Sequence, residues 1–226
     1  MASPLQGYVP QRQVNFDVLG PAWRLFQQEA ATWILVTLLF AVIGGLVATI
    51  LGSVTFGIGG IVGGVPFGVL GVGAYRMALK QLRGQKIEVS QLFDVQDVLA
   101  PASVAGLLIV VAQLVGSALC VLPGLVVGGL LMFALPLVAD KRMDGIEAMK
   151  LSFETLKDEW LMAGVFWLVM TLIAMVGAIV CGVGLLVAGP VILLAQALLY
   201  RAYFPETAAA PATAAPPAAP PPPPSA

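Results

Sequence analysis

Three stretches of this chain carry no ionisable side chain. No Asp, Glu, Lys or Arg occurs between Glu29 and Arg76, between Asp97 and Asp140, or between Glu159 and Arg201, and these gaps hold 46, 42 and 41 residues. A helix in water keeps a polar face, and runs of this length have none. A helix that crosses a bilayer needs about 20 apolar residues, so each gap is long enough for two crossings and a tight turn. The predicted spans are Thr32 to Leu51, Phe56 to Ala78, Pro101 to Leu122, Gly124 to Ala139, Trp160 to Val180 and Gly184 to Tyr203. The fourth is short, so neighbouring helices or a thinned bilayer have to accommodate it.

The fold class that follows is all-α, a polytopic transmembrane helical bundle of six spans arranged as three hairpins. Cytoplasmic amphipathic helices and a disordered Pro/Ala-rich C-terminal tail complete it. In residue numbers, 1–13 form a flexible N-terminus, 14–204 the six-span domain with its interfacial helices, and 205–226 the tail. Composition agrees: 59% of residues are hydrophobic, 10% are charged, and mean hydropathy is +0.97, outside the range of soluble domains.

Hairpins return the chain to its starting side, which puts all eleven basic and all twelve acidic residues at one face. Arg12 and Arg24 precede the first hairpin. Arg76, Lys80, Arg83 and Lys86 follow it, Lys141, Arg142, Lys150 and Lys157 follow the second, and Arg201 closes the third. Basic residues stay in the cytoplasm. The expected location is therefore a bacterial cytoplasmic (inner) membrane, with both termini cytoplasmic. No cleavable leader is expected, because the first 30 residues include Asp17 and Glu29 where an apolar core would lie. The net charge of -1 and the interleaving of acids with bases give no argument for nucleic acid.

The Ala/Pro-rich segment from Thr207 cannot pack a core and reads as a passive tail. Pro220 to Pro224 would favour an extended left-handed helix, the alternative being a ligand for a partner. A weak threefold repeat is visible, each unit holding an amphipathic helix, an ascending span, a Gly-rich turn and a descending span interrupted by proline. Its first and third copies end in Tyr75-Arg76 and Tyr200-Arg201. In DGIEAMKLSFETLKDEW, Ile146, Met149, Phe153, Leu156 and Trp160 recur at helical spacing, opposite Glu147, Lys150, Glu154 and Lys157. Phe16, Leu19, Trp23, Phe26 and Trp33 repeat the pattern before the first span. Such stripes lie in the headgroup layer or pack over the span ends, and Trp33 and Trp160 suit the interfacial aromatic belt.

Glycine is concentrated in GIGGIVGGVPFGVLGVG, which runs from Gly57 to Gly73. Gly60, Gly64 and Gly68 are four apart on one helical face, with Gly57 and Gly71 close to it, a pattern that lets another helix approach within the bundle or between subunits. A phosphate loop fails on context, because no Lys-Ser or Lys-Thr follows and the flanks are lipid-length apolar runs. Pro66, Pro136 and Pro190 are expected to kink their spans. The carbonyls they leave free could instead coordinate cargo, as in transporters with broken helices.

There is no histidine, and the predicted spans contain no carboxylate, so a proton relay or an intramembrane metal site lacks components. No catalytic, cofactor-binding or metal-binding residue is assigned, and no cofactor is expected. Ser103, Ser117 and Thr171 have no base nearby. Gln113 and Gln196 are the most polar groups deep in the spans and are expected to bond each other or a neighbouring helix. Cys120 and Cys181 sit at the predicted outer ends of the third and fifth spans, where a disulfide is permitted and buried free thiols are the alternative.

FDVLGPAWRLF before the first span, LPGLVVGGLLMFALPLVAD, DGIEAMKLSFETLKDEW and the closing ALLYRAYF together resemble a group of uncharacterised bacterial six-span membrane proteins. They are also similar to the membrane domain attached to some glycerophosphodiester phosphodiesterases. The likeness covers about Phe16 to Phe204. It implies fold and topology, supplies no catalytic residue, and lacks the soluble catalytic domain of the fused form. The expected function is a non-enzymatic bundle that organises lipid or a partner at the cytoplasmic face. The alternative is a small transporter or channel for neutral or lipid-like cargo. Expected partners are the lipid bilayer and a second copy or another membrane protein.

Overall fold

The apolar runs are helical in the structure, a computed structural model that describes residues 12–54, 63–119, 121–179 and 183–205. Gly57, Gly60, Cys120 and Cys181 lie outside the described residues, as do 1–11 and the tail from residue 206. The described helices are α1 (Leu19–Gln28), α2 (Ala30–Val54), α3 (Gly64–Leu82), α4 (Leu99–Leu119), α5 (Val121–Leu130), α6 (Ala134–Lys141), α7 (Gly145–Leu156), α8 (Trp160–Ile179) and α9 (Val183–Tyr203). No strand occurs among the described residues.

Five helical segments are long and apolar enough to cross a membrane, within or ending in α2, α4, α5 with α6, α8 and α9. Their outer faces are greasy. Leu35, Leu38, Val42 and Leu46 on α2, and Leu161, Leu168, Leu172, Met175 and Ile179 on α8, are all exposed. Exposed in water, patches of this kind drive association, whereas hydrocarbon is their matching solvent and forces the backbone to stay helical.

The long helices form a ring. α3 packs on α4, α4 on α5, α5 on α8, α8 on α9, and α9 on α2, while α2 touches its sequence neighbour α3 only lightly. Glycine sets the close joints, because a missing side chain lets backbones meet and dispersion contact replaces the hydrophobic effect that lipid cannot supply. A methyl group on Gly68 would lie 2.1 Å from the Ala102 carbonyl oxygen, and one on Gly64 would lie 2.8 Å from that of Gly106. Gly116 meets Gly124 between α4 and α5, Gly129 meets Ala163 between α5 and α8, and Gly177 meets Gly184 between α8 and α9. Gly71 points elsewhere, toward the Leu135 side chain. On α2, Gly44 and Gly45 face open space, so among the described residues no glycine tightens α2 against α3.

Two of the three prolines expected to kink their spans stand in first turns. Pro66 and Pro136 are each the third residue of their helices, α3 and α6 as described, where an N–H has no intrahelical partner to lose. Pro190 alone of the three is inside a described helix. The predicted fourth span, Gly124 to Ala139, is broken into α5 and α6 at residues 131–133. Ser152 of α7 enters that break: its hydroxyl donates to the Leu130 carbonyl oxygen at 2.6 Å and accepts from the Phe133 N–H at 3.2 Å. Backbone groups freed inside a bundle need such substitutes.

The described ion pairs collect at one end of the ring. Arg76 grips Asp97 through two bonds of 2.7 and 2.9 Å, and Arg142 adds a third cation contact at 3.0 Å. The guanidinium of Arg76, first by its hydrogen bond, holds the Asp97 carboxyl below the usual aspartate range. Asp140 receives Arg201 at 3.0 and 3.1 Å, the Tyr200 hydroxyl at 2.9 Å and Arg83 at 3.4 Å.

α7 starts where the Asp144 carboxylate accepts the Ile146 N–H at 3.1 Å, an N-cap. It buries Ala148, Ser152 and Leu156 and turns Ile146, Phe153 and the following Trp160 outward, half exposed. That orientation suits the headgroup layer. Trp33 is 1% exposed and packs inside the bundle. The second repeat unit has two short 3-10 turns, Val89–Phe93 and Gln96–Val98, in place of an amphipathic helix.

Candidate functional site: an apolar cavity inside the ring

The ring surrounds a half-open cavity of about 320 Å³, at the small end of the roughly 300–1,000 Å³ range of ligand pockets. α2 contributes Trp33, Val36, Thr37 and Phe40, and α3 contributes Phe67, Gly71, Ala74 and Tyr75. Ile109 and Gln113 come from α4, Gly128 from α5, Trp167 from α8, and Gly189, Pro190 and Gln196 from α9. Leu131, Met132 and Leu135 close it beside the α5–α6 break. Each contribution follows from a helix that has no polar face: whichever side turns inward is apolar, and the shape is set by where Gly and Ala replace larger residues.

The polar groups divide into a satisfied set and an unsatisfied one. Toward the charged end, the Tyr75 hydroxyl donates to Gln196 Oε1. Close by, the Trp33 indole N–H donates to Gln81 Oε1 at 2.8 Å, and Gln81 Nε2 donates to the Leu25 carbonyl oxygen at 2.7 Å, tying α1, α2 and α3 together. Higher in the ring, Gln113 and the Trp167 indole N–H form no hydrogen bond with another described residue, although both crowd Gly128: a methyl group there would lie 2.3 Å from Trp167 Nε1 and 2.6 Å from Gln113 Nε2.

Gln113 and Gln196 therefore do not bond each other; Gln196 pairs with Tyr75, and Gln113 stands apart from it. Of the packing glycines, Gly64 and Gly68 meet α4 while Gly71 lines the cavity. Pro190 lines it as well. Sequence reasoning missed the Tyr75–Gln196 bond, the Trp33–Gln81–Leu25 chain and the Asp140 cluster, because partners 48 to 121 residues apart share no local signal. Tyr75 and Tyr200 were visible only as the ends of repeat copies.

Among the described residues, no charged side chain lines the cavity. An ionised ligand would lose its hydration without a counter-charge, a cost of several kcal/mol, so the chemistry available is hydrogen bonding and dispersion toward a neutral molecule. No family model, curated protein or solved structure matches this chain.

Proposed function

We propose that this chain is a six-span, non-enzymatic membrane protein that holds a neutral, lipid-like molecule inside its ring, a reading that shares its class of cargo with the transporter or channel expected as the alternative from sequence. The carrying observation is the uncharged cavity between helices that are themselves apolar on their outer faces. Access is lateral, between α2 and α3, where Phe40 and the exposed Phe67 line the cavity and, among the described residues, no close glycine joint seals the seam. A volume of about 320 Å³ suits one chain or a small ring system better than a two-chain phospholipid. The charged end faces the cytoplasm of a bacterial cell in this reading, as the distribution of Lys and Arg requires.

The test uses the tryptophans that line the cavity, Trp33 and Trp167. In detergent micelles, dibromo-octadecane should quench tryptophan fluorescence with a saturable component, and Gly189→Leu, which extends a side chain from the cavity wall, should remove it. Leu46→Phe on the outward face of α2 should leave it intact. Quenching that rises without saturation in the wild type defeats the proposal.

The first expected function has its own support in Trp23, Ile146, Phe153 and Trp160, which are exposed near the charged residues and fit a headgroup layer or a membrane partner. A co-purifying protein whose recovery falls with Trp23→Ala and Phe153→Ala would favour that reading.

A further inference from the structure

The two unpartnered polar groups at Gly128 define what kind of ligand the cavity takes. Trp167 Nε1 donates only, and the Gln113 amide both donates and accepts. They come from α8 and α4 and converge on α5, across the ring from the α2–α3 seam. Toward the charged end the Trp33 indole N–H is met by Gln81, and the Tyr75 hydroxyl by Gln196. In hydrocarbon no bulk water covers an idle donor, and leaving one unmet costs about 1–3 kcal/mol.

We propose that Gln113 and Trp167 form a hydrogen-bonding site for the carbonyl oxygen of an uncharged ester or ketone, the polar end of an otherwise apolar ligand. The assignment rests on the cavity being a ligand site. A carbonyl offers two lone pairs and no donor, which matches two convergent N–H groups. A carboxylate or phosphate does not fit, because the described lining residues include no cation to offset the desolvation of an anion. Gly128 is the enabling residue: any side chain there would occupy the place of the two nitrogens. The rest of the ligand lies along Ile109, Phe40 and Phe67 toward the seam.

Two probes of matched length separate this site from the cavity itself: methyl dibromostearate, which has an ester carbonyl, and dibromo-octadecane, which has none. Wild-type protein in micelles should bind the ester roughly tenfold more tightly by saturable fluorescence quenching, the worth of one to two neutral hydrogen bonds. Gln113→Leu with Trp167→Phe should bring the ratio to about one while hydrocarbon binding persists, Trp33 remaining as the reporter. Equal affinity for the two probes in the wild type overturns the carbonyl site and leaves the cavity reading standing. Absence of saturable quenching by either probe overturns both. A measurement that needs no variant is the infrared stretch of a carbon-13-labelled ester: bound to the wild type it should move to lower frequency than in micelles, and an unmoved band counts against the proposal.

Discussion

Gly68 and Gly106 meet backbone to backbone, so that a methyl group on Gly106 would lie 2.5 Å from the Gly68 Cα, and one on Gly68 would lie 2.7 Å from the Gly106 Cα. Neither neighbour is a flexible side chain that can swing aside. Gly68→Ala should therefore separate α3 from α4 and lower stability by about 1–3 kcal/mol, the usual cost of overpacking. Gly44→Ala, which enters open space on α2, should leave stability unchanged or slightly raised. Thermal unfolding in one detergent compares the two, and equal losses would contradict the contact.

Asp140 gathers Arg201, Tyr200 and Arg83 at the charged end, and both Asp140 and Arg201 are 15% exposed along their side chains. Asp140→Asn keeps the shape and removes the carboxylate charge that Arg201 and the Tyr200 hydroxyl face. A loss of roughly 2–3 kcal/mol is expected. Glu154→Gln, which breaks only the exposed pair with Lys157, should change stability by no more than about 1 kcal/mol.

Ser152 bridges the broken fourth span, so Ser152→Ala should leave the Leu130 carbonyl and the Phe133 N–H without partners. The expected cost is about 1–3 kcal/mol. Amide exchange of Phe133 should rise at the same time, and a variant with unaltered exchange would show that the hydroxyl does not hold the break.

The Asp97 carboxyl is held low by Arg76 in the folded protein. Its contribution to stability is thus fully present above the ordinary aspartate value and is lost as pH falls through the lower folded value. The exposed setting makes this contribution small. Asp97→Asn should flatten the acid limb of the stability profile, most visibly at low salt, and an identical acid limb in both proteins would refute it.

If the apolar runs cross in pairs, as proposed, single cysteines at Lys86 and at Lys150, in a background without Cys120 and Cys181, should react with an impermeant maleimide from the same compartment. Labelling from opposite compartments would overturn the six-span topology and the orientation built on it.

The helices were legible because their cause is local. Hydrocarbon leaves a peptide group no partner outside its own segment, so a charge-free run of sufficient length becomes helix whatever surrounds it. Trp160 to Val180 and Gly184 to Tyr203 accordingly fall almost on α8 and α9, Trp160–Ile179 and Val183–Tyr203. The break at 131–133 was not legible, because Pro136 marks only a weak point and the residue that makes the break tolerable, Ser152, lies on a different helix. The burial of Trp33 was not legible for a related reason: its partner Gln81 lies 48 positions later, on another helix.

The sequence by itself determined the helical class of this protein, the length of its apolar runs and the clustering of charge between them, since each follows from composition along a short window. Only the tertiary structure decided that the helices close into a ring, that the loosest joint is α2 against α3, and that Gln113 and Trp167 reach the same glycine without a bond. The physical reason is that apolar helices in lipid are nearly interchangeable by hydropathy. Which faces meet is settled by dispersion and by a few long-range hydrogen bonds, and neither leaves a periodic trace in the chain.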